Sequence, residues 1–139
     1  MMPSSKSPIR ILIADDQVLQ RQGFRMIIES QKDMVVVGEA GDGAQSLAIV
    51  RRVESDVVLM DIQMPRVNGL VAAERIGGDE QTIARFGRAP RIILMTAVDV
   101  DDHLAAAADT GVFAVLYKDL EPEALLSAIR GANSSHGQV

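Results

Sequence analysis

Four polar positions in this chain stand directly after apolar runs, and their side-chain types would together suit phosphoryl transfer. Asp15-Asp16 follow I-R-I-L-I-A (Ile9 to Ala14), Asp61 follows V-V-L-M, Thr96 follows R-I-I-L-M, and Lys118 follows V-F-A-V-L-Y. Asp61 can supply an attacking oxygen, since an aspartyl phosphate is a known covalent intermediate. The Thr96 hydroxyl can donate to a phosphoryl oxygen, and Lys118 adds a positive charge. Clustered carboxylates repel, which raises the cost of ionising them unless a cation is present. Mg²⁺ suits such a cluster, because it takes a few carboxylate oxygens together with water and substrate phosphate. It would also neutralise the charge spread over a transferring phosphoryl group.

These groups act together only if the fold brings them to one place. The run ending at Asp61 is apolar and β-branched, which reads as a strand buried on both faces. Pro65 and Asn68-Gly69 then force the chain out of the sheet. Ile9 to Ala14, Met34 to Ala40, Arg91 to Met95 and Val112 to Tyr117 read as four further strands. Between them run helical patterns, the first beginning at Asp16 or Gln17 with Leu19, Gly23, Met26 and Ile27 on one face. Gly23 there suggests close backbone packing. Leu47, Val50 and Val53 mark the inner side of the second helix, and Gly69 to Ile76 forms the third. Gly77-Gly78 breaks it, and the sequence leaves open whether Asp79 to Phe86 resumes as helix. A fourth helix starts near Asp99 with Leu104, Ala107 and Ala108 inward. A last one carries Pro122 in its first turn and Leu125, Ala128 and Ile129 inward. Strand and helix alternate about five times, which implies right-handed βαβ units, a parallel sheet and helices on both faces. In such α/β folds ligands collect beyond the carboxyl ends of the strands, where all four polar positions lie.

Composition narrows the class. The 139 residues suit one domain, and at 47% hydrophobic with 3% aromatic the core must be aliphatic. A net charge of −5 argues against this stretch gripping nucleic acid through phosphates. With no Cys, disulfides and thiolate metal sites are excluded. No apolar run approaches the roughly 20 residues of a membrane span, so a soluble cytoplasmic protein is expected. Residues 1–8 and 132–139 read as an N-terminal tail and a C-terminal tail or truncated linker around a domain over 9–131. His103 and His136 have no partner at metal-ligand spacing.

The pieces I-A-D-D-Q, V-V-L-M-D-I-Q-M-P-R-V-N-G, L-M-T-A and L-Y-K-D occur in the order and spacing of bacterial response-regulator receiver domains, and the chain resembles that family over about Ile9 to Gly131. The resemblance implies a flavodoxin-like doubly wound five-stranded sheet in the order 2-1-3-4-5 with five helices. It implies that Asp61 receives phosphate from a sensor histidine kinase. Asp16, Asp61 and the Gln63 backbone carbonyl would hold Mg²⁺, with Asp15 acting mostly through water, while Thr96 and Lys118 would bind the phosphoryl oxygens. The switched surface would be the face of the fourth helix, fifth strand and fifth helix, which would meet a partner or a second copy in a homodimer. The G-V-F-A-V-L-Y-K-D-L-E-P-E-A-L-L stretch is similar to the subfamily whose output is a LuxR-type helix-turn-helix, so DNA would be met only through a domain beyond this chain.

Three departures stand out. Val115 occupies the position, three before the lysine, where the family commonly has an aromatic switch residue. Phe113 and Tyr117 share its strand face by period 2. Gln63 and Val98, at the positions that tune phosphate lifetime, are both uncharged. Gly77 to Pro90 is longer than usual. Two rivals remain. A phosphatase of the haloacid-dehalogenase type also uses a strand-end Asp, Mg²⁺ and a Lys, but needs a second acid where Gln63 stands. A degenerate receiver would act only as a binding module.

Overall fold

The computed structural model describes residues 7–97 and 111–135. Among them five parallel strands, β1 (Ile9–Ala14), β2 (Met34–Ala40), β3 (Val57–Asp61), β4 (Arg91–Thr96) and β5 (Ala114–Tyr117), form one sheet in the order β2-β1-β3-β4-β5. Five helices accompany them: α1 (Val18–Glu29), α2 (Gly43–Arg52), α3 (Gly69–Gly77), α4 (Glu80–Phe86) and α5 (Pro122–Ser135). This is the flavodoxin-like doubly wound order. The segment left open at Asp79 to Phe86 is α4. The helix expected from Asp99, with Val98 and His103, lies outside the described residues, as does His136.

Consecutive residues of a strand point to opposite faces, and both faces of this sheet are covered. Ile11, Ile13 and Leu59 pack with Phe24 and Ile28 of α1 and with Leu125 and Ile129 of α5. Leu12, Val58 and Met60 pack with Val50 of α2 and with Ala72 and Ile76 of α3. Each such aliphatic side chain contributes about 1.5–3 kcal/mol on burial, which is how a core with almost no aromatics holds. Met60, Met64 and Met95 are buried parts of that packing.

α1 is rotated relative to the expected face. Leu19 is 81% and Met26 75% exposed, while Phe24 and Ile28 are buried and Ile27 partly so. A Cβ at Gly23 would meet nothing within 4 Å, so that glycine does not serve close packing. Both faces satisfy helical spacing, and burial goes to the one carrying Phe24 and Ile28. At the other end of the chain α5 runs through Gly131, the expected edge of the tail, to Ser135. Ala132 is buried there, and the Ser135 hydroxyl accepts a 2.7 Å hydrogen bond from Arg91 Nε.

Near β5 the strand-face expectation fails for one residue. Val115 is buried on the α2–α3 side, whereas the Phe113 ring lies 3.5 Å from where a Cβ of Gly131 in α5 would stand. Phe113 precedes the strand, so strand alternation does not bind it. Tyr117 is in the strand and 47% exposed.

α4 is held by one acid. Asp79 caps it, accepting from the Thr82 N–H at 3.1 Å and the Thr82 hydroxyl at 2.6 Å, and it receives Arg51 of α2 through Nη2 at 2.8 Å and Nε at 3.1 Å. The Arg51 guanidinium, helped by Thr82, holds this carboxyl down at about 2. A carboxyl depressed on folding stabilises above its unfolded value near 4 and loses that contribution as pH falls towards 2. Asp79→Ala is therefore expected to cost about 2–3 kcal/mol at neutral pH, from the lost cap and ion pair. In denaturant unfolding the gap to wild type should narrow below pH 4, and amides of α4 should lose exchange protection first.

Candidate functional site

The strand order explains why distant residues meet. From β1 the chain goes outward to β2, then returns across β1 to β3, so the order reverses between β1 and β3 and a crevice opens beyond their carboxyl ends. Ala14 pairs with Met60, so the next residue on each strand, Asp15 and Asp61, comes level at that edge. Asp61 pairs with Met95, and Thr96 with Tyr117, which brings Thr96 and Lys118 to the same rim. The Lys118 N–H donates to the Thr96 carbonyl at 2.9 Å. β3 and β5 are two strand spacings apart, about 9–10 Å. Lysine, with its four-carbon stem, spans that gap.

Lys118 Nζ reaches Asp61 Oδ2 at 2.9 Å and Asp15 Oδ2 at 3.4 Å. Asp61 Oδ1 accepts from the Gln63 N–H at 3.0 Å, and Asp15 Oδ1 from the Gln17 N–H at 2.8 Å. Asp15, Asp61 and Thr96 are buried, whereas Asp16 and Gln63 are exposed. Asp15, Asp16 and Asp61 each place a carboxylate oxygen within 4.8 Å of the others. Asp15, Asp16, Asp61 and Lys118 thus meet at one rim, Thr96 ends β4 beside them, and Gln63 touches the site through its backbone N–H.

The electrostatics are unbalanced. Three acids cluster where one lysine reaches two of them, and Asp15 Oδ2 is buried without a hydrogen bond, its contact with Lys118 being a longer Coulombic one. Burial pushes the Asp61 carboxyl above its ordinary value, with Lys118 and the Gln63 N–H opposing the shift and Asp15 adding to it. An unsatisfied buried oxygen and surplus negative charge beside an exposed acid fit a hard divalent cation with oxygen ligands.

Three residues of the site had not been singled out from the sequence. Gln20, in the first turn of α1, accepts from Lys118 Nζ through Oε1 at 2.7 Å. Arg21 donates from Nη1 to the Asp15 carbonyl and pairs through Nε with Glu39 at 3.2 Å, which ties down the end of β1. Gly69, read as part of a turn and as the start of the third helix, sits against the backbone of the phosphoacceptor candidate. A Cβ there would overlap the Asp61 carbonyl oxygen and stand 2.7 Å from Ile62 Cα. Its N–H donates to the Ile62 carbonyl at 2.8 Å, and Asn68 caps the following helix through the Val71 N–H. The glycine is the one signal in this group that the sequence displayed.

The family model of the response regulator receiver domain matches residues 11–130. An uncharacterized transcriptional regulatory protein of Bacillus subtilis (strain 168), YxjL, is 40% identical over 92% of this chain and 56% of its own length. The nitrate/nitrite response regulator protein NarP of Escherichia coli (strain K12) is 36% identical over 96% of this chain and 59% of its own. The chain thus spans little more than half of these relatives. Among solved structures, a two-component response regulator of the LuxR family from Aurantimonas sp. SI85-9A1 superposes with a TM-score of 0.80 at 27% identity, covering 93% of this chain and 87% of that one. The signal receiver domain of the putative response regulator NarL from Mycobacterium tuberculosis gives 0.75 at 27% identity over 91% and 99%. No helix among the described residues is long and apolar enough to cross a membrane. With this fold, this strand-end constellation and a family model matching residues 11–130, the chain belongs to the response regulator receiver domain family.

Proposed function

We propose that this chain is the phosphoacceptor switch of a cytoplasmic two-component system, with Asp61 taking a phosphoryl group from the phosphohistidine of a sensor kinase. The observation that carries the reading is the meeting of Asp61 with Lys118 at 2.9 Å in a crevice shared with Asp15 and Asp16. An Asp61 carboxylate oxygen bonds to phosphorus as the phosphorus–nitrogen bond breaks. The electron pair of that bond leaves on the imidazole, and Asp61 becomes a mixed anhydride. Asp16, Asp61 and the Gln63 carbonyl would hold Mg²⁺, with Asp15 behind them, and the ion would spread the charge of the transferring group. Lys118 and the Thr96 hydroxyl receive the phosphoryl oxygens.

Phosphorylation adds about −1.5 to −2 charges at this rim. Lys118 and Thr96, on the ends of β5 and β4, are the groups that respond. The change is read on the face of β5 and α5, where Tyr117 stands exposed, by a second copy or by a helix-turn-helix output domain beyond this chain. Incubation with acetyl phosphate should place one phosphoryl group on the peptide containing Asp61, as mass spectrometry reads it. EDTA should abolish the uptake and Mg²⁺ restore it. Uptake indifferent to EDTA, or sustained multiple turnover of a phosphomonoester, would overturn the reading, the second in favour of a phosphatase.

A further inference from the structure

Among the described residues, three side-chain oxygens surround Lys118 Nζ. Two belong to Asp61 and Asp15, at 2.9 and 3.4 Å, and the third is Gln20 Oε1, at 2.7 Å. The ammonium is the charged partner in each contact, and α1 meets it through Gln20 at as short a range as Asp61 does. Gln20 is part-buried and 98 residues away in sequence.

We propose that Gln20 is a positioning residue for Lys118, holding its ammonium at the rim where a phosphoryl oxygen must be met. The inference rests on the phosphoacceptor reading and goes beyond it. The two carboxylates are the groups whose charge and partners change when Asp61 reacts. Gln20 takes no part in the chemistry, so it is the one contact of the three that stays the same before and after transfer. Without it the ammonium is held only by acids whose claims on it shift during the reaction. A flexible four-carbon stem then has no fixed tether, and the electrostatic preorganisation of the site weakens. The same bond ties α1 to the end of β5, so a movement of α1's first turn reaches Lys118 directly.

The test uses Gln20→Leu, which keeps the bulk and removes the acceptor, and Gln20→Glu, which keeps an oxygen at the same reach. With acetyl phosphate and Mg²⁺, Gln20→Leu is expected to slow phosphoryl uptake about three- to tenfold, a part of the worth of one hydrogen bond to a charged group, because Asp61 and Asp15 still hold the ammonium. Gln20→Glu should return to within about twofold of wild type. The second readout needs neither phosphate nor metal. The sequence holds three lysines, Lys6, Lys32 and Lys118, so the Lys118 ammonium resonance can be assigned by ¹⁵N labelling. It should move in Gln20→Leu, which removes the acceptor, and also in Gln20→Glu, which replaces a neutral acceptor by a charged one. An unmoved resonance in Gln20→Leu overturns the inference whatever the rate does. Equal slowing by both variants also overturns it, because the role would then be packing. If wild type itself takes up no phosphate, the phosphoacceptor reading fails, and the resonance still reports whether Gln20 holds Lys118.

Discussion

Asp61→Asn is expected to lose phosphoryl uptake by about two orders of magnitude or more, because it removes the nucleophile itself. The same variant is expected to melt at a higher temperature than wild type at pH 7. Burial raises the Asp61 carboxyl above its ordinary value, against the opposing pull of Lys118. A carboxyl whose folded-state pKa is raised makes its favourable contribution below the unfolded value near 4, and loses it as pH rises through the folded value. At neutral pH the buried anion therefore opposes folding, and an uncharged amide of nearly the same shape relieves that opposition. The difference in melting temperature should shrink as pH is lowered towards 4. Calorimetry across that range, beside a phosphorylation assay, checks both halves. A variant that melts below wild type at pH 7 would show that the Lys118 pairing outweighs desolvation.

The second large effect is expected at Gly69. A methyl group there would overlap main-chain atoms of Asp61 and Ile62, and backbone cannot rotate away as a side chain can. Gly69→Ala should cost about 3 kcal/mol or more, lowering the melting temperature by roughly 10 °C. Relief of the overlap must move either the start of α3 or the Asp61–Gln63 turn. Movement of the turn breaks the bond from the Gln63 N–H to Asp61 Oδ1 and shifts the acid relative to Lys118. Uptake should therefore fall further than the unfolded fraction accounts for, measured at a temperature where the variant is still folded. Stability and uptake both equal to wild type would mean that the close approach is absent in solution.

Asp79 and Gly69 act in different ways on the same stretch. Asp79 joins α4 to α2 through Arg51, away from the crevice, so its loss is expected to appear in stability. Gly69 lies against the acid that reacts, so its loss is expected to appear in both stability and chemistry.

The sequence was sufficient for the parts that local pattern determines. A buried parallel strand is a short apolar run, and a polar residue directly after it marks the carboxyl edge, so pattern alone puts Asp15, Asp16, Asp61, Thr96 and Lys118 at strand ends. The quoted motifs, in order and spacing, supplied the family and the sheet order, because they carry catalytic groups and turns together. Tertiary structure decided what depends on a neighbour. Leu19 and Met26 share a helical face as properly as Phe24 and Ile28 do, and periodicity alone cannot say which face meets the sheet. Phe113 escaped strand alternation because the strand begins only at Ala114. The Gln20–Lys118 and Arg51–Asp79 contacts join residues 98 and 28 apart. No residue type or spacing announces such a pair, since a side chain's partner across the fold is set by how whole elements pack.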